Sequence, residues 1–155
     1  MEDVYKMELK LLSMADENEI MAIIEDAFAA PPWCDDWRDR EVFHKYVTDI
    51  AGAPNSLTLG LYDGGELVAL AAGHLVHWFN GLEFAVNDLC VKSSRQGSGC
   101  GAELVKRAAQ YARENGIARI ALKTRRSAPA YSFYRRTGFT EQEDCVYFTM
   151  DTAEK

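Results

Sequence analysis

Gly97, Gly99 and Gly101 alternate through the stretch Arg95-Gln96-Gly97-Ser98-Gly99-Cys100-Gly101-Ala102. Without a Cβ, such positions let the backbone turn sharply and approach a ligand closely. An apolar run ending at Val91 precedes the stretch and reads as a strand, and the pattern from Ala102 to Glu114 reads as a helix. The loop therefore empties into a helix N-terminus, where amide N–H groups lack carbonyl partners and the dipole favours negative charge. Its chemistry is that of a phosphate cradle. Two carboxylates, Glu83 and Asp88, lie on the preceding strand. An odd number of positions separates them, so an unbroken strand turns them to opposite faces unless a bulge re-aims one.

Periodicity supplies the elements that must hold this loop. Met7 to Leu12 reads as a first strand, and Asp16 as the N-cap of a helix reaching Ala30. Ile20, Ile23, Ile24, Ala27 and Phe28 share one face of that helix, and Pro31-Pro32 stops it. A second helix runs to about Ile50 with Phe43, Tyr46, Val47 and Ile50 as its apolar stripe. Leu57–Tyr62 and Glu66–Val76 form a hairpin around Asp63-Gly64-Gly65, and Asn80-Gly81 turns the chain again into Leu82–Val91. Gly73 inside the second strand signals a bend or a close backbone approach. Beyond the loop helix, Gly116 suits a C′ position, and Ile117–Lys123 reads as a short strand parallel to the one before the loop. A short helix from Ala128 to Arg136 ends at Gly138, and Phe139 onward and Val146–Met150 read as closing strands. The fold class expected is a mixed α/β (α+β) domain spanning residues 1–155. Its central sheet is mostly antiparallel, with about six to seven strands and helices on both faces.

The totals narrow the function classes. A chain of 155 residues with 48% hydrophobic and 26% charged residues can bury one sizeable core. Met1–Lys10 has no signal-peptide pattern and no apolar run approaches a membrane span, so a cytoplasmic protein with no membrane partner is expected. Cys34, Cys90, Cys100 and Cys145 show no CxxC pairing and read as reduced thiols. His74 and His77 fall on opposite faces of a strand and His44 has no partner at ligand spacing, so no metal site is expected. Residues 1–90 carry 5 basic and 17 acidic side chains, a net −12, whereas residues 91–155 carry 12 and 7, a net +5. A basic half suits an anionic ligand and an acidic half a cationic one, while a nucleic acid would be repelled by the acidic half.

Three phosphate loops compete for the glycine stretch. A Walker loop ends in Gly-Lys-Ser/Thr, which Gly101-Ala102-Glu103 does not supply. A dinucleotide fingerprint fits formally at Gly97, Gly99 and Ala102, but five residues separate Val91 from Gly97 where that turn follows its strand directly. About twenty residues on, its ribose-binding acid is replaced by Arg119–Lys123. The third is a family motif. Val91-x4-Gln96-x2-Gly99-x-Gly101-Ala102 resembles motif A of the GNAT N-acetyltransferases, Q/R-x-x-G-x-G/A. Ser127-Ala128-Pro129-Ala130-Tyr131-Ser132-Phe133-Tyr134-Arg135-Arg136-Thr137-Gly138-Phe139 resembles their second signature, N-x-x-A-x-x-x-Y-x-x-x-G-F, with Ser127 where Asn is usual.

The resemblance implies acetyl-CoA as co-substrate. Its pyrophosphate would sit on the backbone of Gln96, Gly97, Ser98, Gly99, Gly101 and Ala102, and its pantetheine on the main chain of Leu89 and Val91, with Ser127 and Tyr134 at the same ligand. Lys92, Arg95, Arg125 and Arg126 are near enough in sequence to meet the outer phosphates. The implied reaction is direct attack of a primary amine on the thioester, with Tyr134 protonating the leaving thiolate. An amine of pKa about 10 must first lose a proton. Asp88 is favoured as its acceptor, with a water-mediated route and a purely structural acid as the alternatives.

Pro32-Trp33-Cys34-Asp35-Asp36-Trp37, with Glu83 and with Trp78-Phe79 at the second hairpin, is the expected acceptor wall. Aromatic rings and carboxylates suit a protonated amine. The pattern resembles that of aminoglycoside 6′-N-acetyltransferases, which acylate polycationic amines, and a polyamine, amino sugar or peptide amine fits the same chemistry. Dimers are common in the resembled family, so a homodimer is carried as an expectation. Two rival classes share the fold: a non-catalytic acyl-CoA sensor, and an interaction domain whose glycine loop is only a tight helix entry.

Overall fold

A computed structural model describes residues 7–154. Residues 1–6, within the segment read as carrying no signal peptide, lie outside the described residues, as does Lys155. The chain forms two compact units, one through Lys123 and one from Thr124.

In the first unit the order is β1 (Met7–Leu11), α1 (Glu17–Phe28), α2 (Arg40–Ala51), β2 (Ser56–Asp63), β3 (Glu66–Trp78), β4 (Gly81–Val91), α3 (Cys100–Glu114) and β5 (Ile117–Ala121). The five strands make one sheet in the order β1-β2-β3-β4-β5, antiparallel except for the parallel pair β4 and β5. The two turns marked by glycine fall where expected, with Gly64, Gly65 and Gly81 all at positive φ. Central strands β2 and β3 are buried over most of their length, which explains their nearly continuous apolar sequences.

Each sheet face has its own core. Ile20, Ile24, Phe43, Val47 and Ile50 from α1 and α2 pack with Leu70, Ala72 and Cys90 on one face. Leu104, Ala108 and Ala112 from α3 pack with Leu59, Leu61, Ala71 and Phe84 on the other. Polar ties register the helices on the sheet. Thr58, the one buried polar residue among those described, donates from Oγ1 to the Ile50 carbonyl at the end of α2, 2.7 Å. Arg40 of α2 makes a two-pronged pair with Glu25 of α1, at 3.0 and 3.1 Å.

The second unit contains α4 (Pro129–Arg136), started by Pro129 and followed by Gly138 at φ +106°. Here the structure corrects the expected strand count from six or seven to five. Phe139 onward and Val146–Met150 form no strand. Val, Tyr, Phe and Met give the segment β propensity, but a strand exists only where a neighbour takes up its N–H and C=O groups. Val146, Tyr147, Phe148 and Met150 are instead 71–86% exposed.

The register of β3 on β4 slips between Ala72 and Gly73: Ala72 faces Asp88 but Gly73 faces Val86, so Asn87 is an extra residue. A Cβ on Gly73 would lie 2.0 Å from the Ala85 carbonyl oxygen and 2.9 Å from the Asn87 nitrogen. Gly73→Ala should therefore destabilise the protein by about 1–3 kcal/mol, the cost of overpacking against atoms that cannot yield. Chemical denaturation checks this, and a change below about 0.5 kcal/mol would contradict the close approach.

Candidate active site

The bulge decides which way β4 presents its side chains. Before it, Phe84 and Val86 pack on the α3 side; after it, Leu89 and Val91 do so, and Cys90 lies in the α1–α2 core. The parity of the strand switches across Asn87. Glu83 and Asp88 therefore share the α1–α2 face, and the expectation of opposite faces for an unbroken strand is replaced by the bulged alternative.

They do not share a site. Glu83 Oε1 accepts from Arg119 Nε at 2.9 Å, and its other oxygen from Trp78 Nε1 at 3.4 Å. Arg119 also donates to Asn80 at 2.8 Å, so Glu83 is committed to the β3–β4 turn and β5. Asp88 lies on the order of 15 Å further along the strand. Its Oδ2 accepts a hydrogen bond from the hydroxyl of Tyr46 on α2. Burial pushes the Asp88 carboxyl above the usual carboxylate range, the Tyr46 hydrogen bond opposes that, and the charge of Asp35 adds to it. Burial also pushes the Tyr46 phenol well up, with Asp88, Cys90 and Asp35 reinforcing it. The Cys90 thiol is raised by burial first, then by Asp88 and Asp26.

Tyr46 was legible only as part of a helical stripe, because nothing local in sequence tells that a residue at this point of α2 will meet β4. Trp37, expected in the acceptor wall, stacks on Phe43 and Tyr46 with ring centroids 4.5 and 5.1 Å away. Trp33 packs edge-on against Phe28. Asp35 donates its backbone N–H to the Phe28 carbonyl at 2.8 Å and reaches Asp88 and Tyr46 through its charge. Asp36 is held by Arg38 at 2.7 Å, which lowers its pKa to about 2 through hydrogen bonds from that side chain and its backbone. The loop between α1 and α2 thus brings Asp35 and Trp37 to Asp88 and Tyr46, and turns Asp36 to a surface pair.

The opposite requirement, an open main-chain edge, is also met on β4. Pairing with β5 covers Leu82 to Ala85 only, whereas β4 continues to Val91. Lys92 donates its N–H to Val68 of β3, 2.9 Å away. Main-chain groups of successive strand residues point to alternate sides, so those of Leu89 and Val91 point away from β3, where β5 has ended. The Val91 carbonyl accepts from Gln96 Nε2 at 3.4 Å.

Gln96 leads into the glycine loop. Gly97 and Gly99 have φ of +78° and +88°, a left-handed conformation that side chains resist. Gly99 is the N-cap of α3 and offers no side chain, so the first-turn amides of Cys100, Gly101 and Ala102 have no intrahelical acceptor. Ser98 turns inward, its hydroxyl donating to the Arg95 carbonyl and lying 3.2 Å from Cys100 Sγ. Cys100 is 1% exposed and packs in the α3 core. Three of the cations near the loop in sequence are engaged: in the first unit Arg95 with Asp63 and Lys92 with Glu66, and in the second unit Arg126 with Glu141 at 2.9 Å.

In the second unit, Tyr134 is half-buried on α4, its ring 5.4 Å from Phe139 and 5.5 Å from Phe133. The Phe139 N–H donates to the Tyr134 carbonyl at 3.0 Å, so Gly138 folds the chain back on the helix and sets Phe139 against the ring. Tyr131 donates to Glu141 at 2.6 Å. Ser127 is exposed in the turn before α4. A separate cavity of about 390 Å³ lies in the first unit among Ala22, Asp26, Glu66, Leu67 and Lys92. Asp26 there accepts from the backbone and hydroxyl of Ser93, both at 2.7 Å.

These features coincide with a family match. The profile of the acetyltransferase (GNAT) family matches residues 18–139, and the chain belongs to that family. No curated protein sequence matches it significantly. Among solved structures, an aminoglycoside acetyltransferase, meta-AAC0020, from an uncultured soil metagenomic sample in complex with sisomicin superposes with a TM-score of 0.76. It has 17% identity over 97% of this chain and 99% of its own. AAC(6′)-Iy in complex with the bisubstrate analogue CoA-S-monomethyl-acetylneamine gives 0.72 at 14% identity, covering 94% and 98%. A ribosomal-protein-alanine N-acetyltransferase from Brucella melitensis biovar Abortus 2308 gives 0.71 at 16%, covering 95% and 99%. At these identities the likeness is one of fold.

The raised Asp88 pKa has a consequence for stability. The folded state binds the Asp88 proton more tightly than the unfolded chain does. The stability this contributes is present at low pH and is lost as pH rises from the ordinary carboxylate range through the raised value. Asp88→Asn should therefore gain melting temperature relative to the unmodified protein on going from about pH 5 to about pH 8. A difference independent of pH would show that Asp88 is not shifted.

Proposed function

We propose that this protein transfers the acetyl group of acetyl-CoA to a primary amine of a small cationic acceptor. The family match runs across both compact units, and we treat residues 1–155 as one N-acetyltransferase domain. The observation that carries the reading is the edge of β4 beyond Ala85. It has no strand neighbour on that side at Leu89 and Val91, leads into amides that lack intrahelical acceptors at the start of α3, and carries Asp88 on the α1–α2 face.

Those features fit a CoA thioester. The amides of Gly97 to Ala102 suit the pyrophosphate. Main chain at Leu89 and Val91 suits the pantetheine amides, as an added strand would pair with an edge. Ser127 completes the set by the family signature. The ligand supplies an activated acetyl group. Asp88 removes one proton from the acceptor ammonium, freeing the nitrogen lone pair to attack the carbonyl carbon. Donors on the β4 main chain stabilise the negative charge that develops on the carbonyl oxygen. As the C–N bond forms and the C–S bond breaks, Tyr134 gives its proton to the departing sulfur and regains one from the new amide nitrogen. Asp88 returns its proton to water. Asp35, beside Asp88, attracts the ammonium, and Trp33 and Trp37 keep the α1–α2 loop folded next to it; Asp36 and Glu83, already paired, contribute to the acidic field around the approach.

The aminoglycoside acetyltransferases among the structural neighbours support an amine acceptor, and the net −12 of residues 1–90 supports a cationic one. Thiol release from acetyl-CoA in the presence of a panel of cationic amines tests the activity; binding of CoA without turnover by any amine would favour the sensor reading. Tyr134→Phe should lower kcat by about a hundredfold or more, the contribution of a positioned general acid, and near-normal kcat across pH would remove that role. Asp35→Asn should raise the acceptor KM by about tenfold, the equivalent of 1.4 kcal/mol, and leave the KM of acetyl-CoA unchanged.

A further inference from the structure

Asp88 Oδ2 accepts a hydrogen bond from the Tyr46 hydroxyl. Tyr46 is held for this. Its ring lies against Trp37 at 5.1 Å with planes 21° apart, and Trp37 is backed by Phe43 at 4.5 Å. Phe43 is fully buried in the core of α1, α2 and the sheet, so the stack is anchored at its far end. The tyrosine hydroxyl is thereby fixed between helix α2 and the strand that carries the acid.

We propose that Tyr46 is a positioning residue for proton removal: its hydroxyl orients the Asp88 carboxylate by binding Oδ2 and leaves Oδ1 for the acceptor nitrogen. This rests on the reading of Asp88 as the base. The charged and titratable groups around the carboxyl are Tyr46 from α2, Asp35 from the loop before α2, Cys90 from β4 itself, and Asp26 of α1 acting on Cys90. Burial and Asp35 both favour the protonated acid, and Tyr46 acts against them. The phenol, itself raised by burial, stays protonated through the neutral range and so acts only as a donor toward Asp88. Removing the hydroxyl leaves burial and Asp35 unopposed.

The test compares Tyr46→Phe with the unmodified full-length protein in two measurements. The first is the pH dependence of kcat/KM for one amine acceptor, whose own ionisation is common to both proteins and cancels. The second is the titration of the Asp88 side chain followed by carboxyl carbon NMR in aspartate-labelled protein. The acid limb and the carboxyl midpoint should both move to higher pH. Activity near pH 6 should then fall by about tenfold, with less than about a threefold change on the alkaline plateau. A midpoint that stays put overturns the inference. So does a midpoint that moves while the acid limb does not. Asp88→Asn separates the two levels: if it keeps the normal rate and pH profile, the assignment of Asp88 as base fails, and the role of Tyr46 fails with it. If Asp88→Asn is inactive and Tyr46→Phe has an unshifted profile, only the role of Tyr46 fails.

Discussion

The structure depends on β4 having two neighbours of unequal length. Its ladder with β3 runs from Gly81 to Val91, whereas its ladder with β5 stops at Ala85. A strand so placed has a strand neighbour on one side throughout and none on the other for its last six residues. An open edge is ordinarily a hazard, because it invites any extended chain. Here the strand is bent at the same point. Asn87 is the extra residue, Gly73 opposite gives the Ala85 carbonyl room, and beyond them the strand continues into the turn that begins the glycine loop. The bulge and the end of β5 fall within two residues of each other, so one local irregularity opens the edge and redirects the side chains along it.

The same region shows why counts of charge mislead about where an anion would be held. Twelve basic residues after position 90 suggest a cationic surface around the glycines. Lys92 and Arg95 are nonetheless engaged by Glu66 and Asp63, both from the β2–β3 turn. The more exposed pair, Lys92 with Glu66, contributes little to stability. The effect of both pairs is positional. Together with Asp26, which binds Ser93 through both carboxylate oxygens, they fasten the turn before the glycines to α1 and to the hairpin. The row of amides at the start of α3 is available to an anion as well, and no side chain caps it and no protonation change can switch it off.

The elements with strong local signals were legible in the sequence. The apolar faces of α1 and α2, the Gly64-Gly65 and Asn80-Gly81 turns, the parallel crossover to β5 and the left-handed glycine after α3 all fall where pattern and turn chemistry place them. Three things were not legible. The bulge at Asn87 was marked only by Gly73, which sits on the other strand, and parity arguments fail once a residue is inserted. The partnership of Tyr46 with Asp88 joins residues 42 positions apart, and the apolar stripe of α2 gave Tyr46 no reason to differ from Phe43 or Val47. The tail after Phe139 has the composition of a strand, but composition does not provide a partner for its main chain.

β4 separates two kinds of work that would otherwise compete. For Leu89 and Val91 the main chain faces the open edge while their side chains pack on the α3 core. For Asp88 the side chain faces α2, where burial, a tyrosine hydroxyl and a second carboxylate set its proton affinity. A phosphate-rich ligand on the open edge would raise the proton affinity of any nearby carboxylate, since like charge disfavours ionisation. Placing the acid across the sheet face from α3, with a phenol donating to it, limits that effect without a cationic partner. A lysine or arginine in place of Tyr46 would hold the carboxylate more firmly ionised, but its positive charge would repel an approaching ammonium. A neutral donor stabilises the carboxylate and leaves its charge available to attract the amine, which is the combination a cationic acceptor requires.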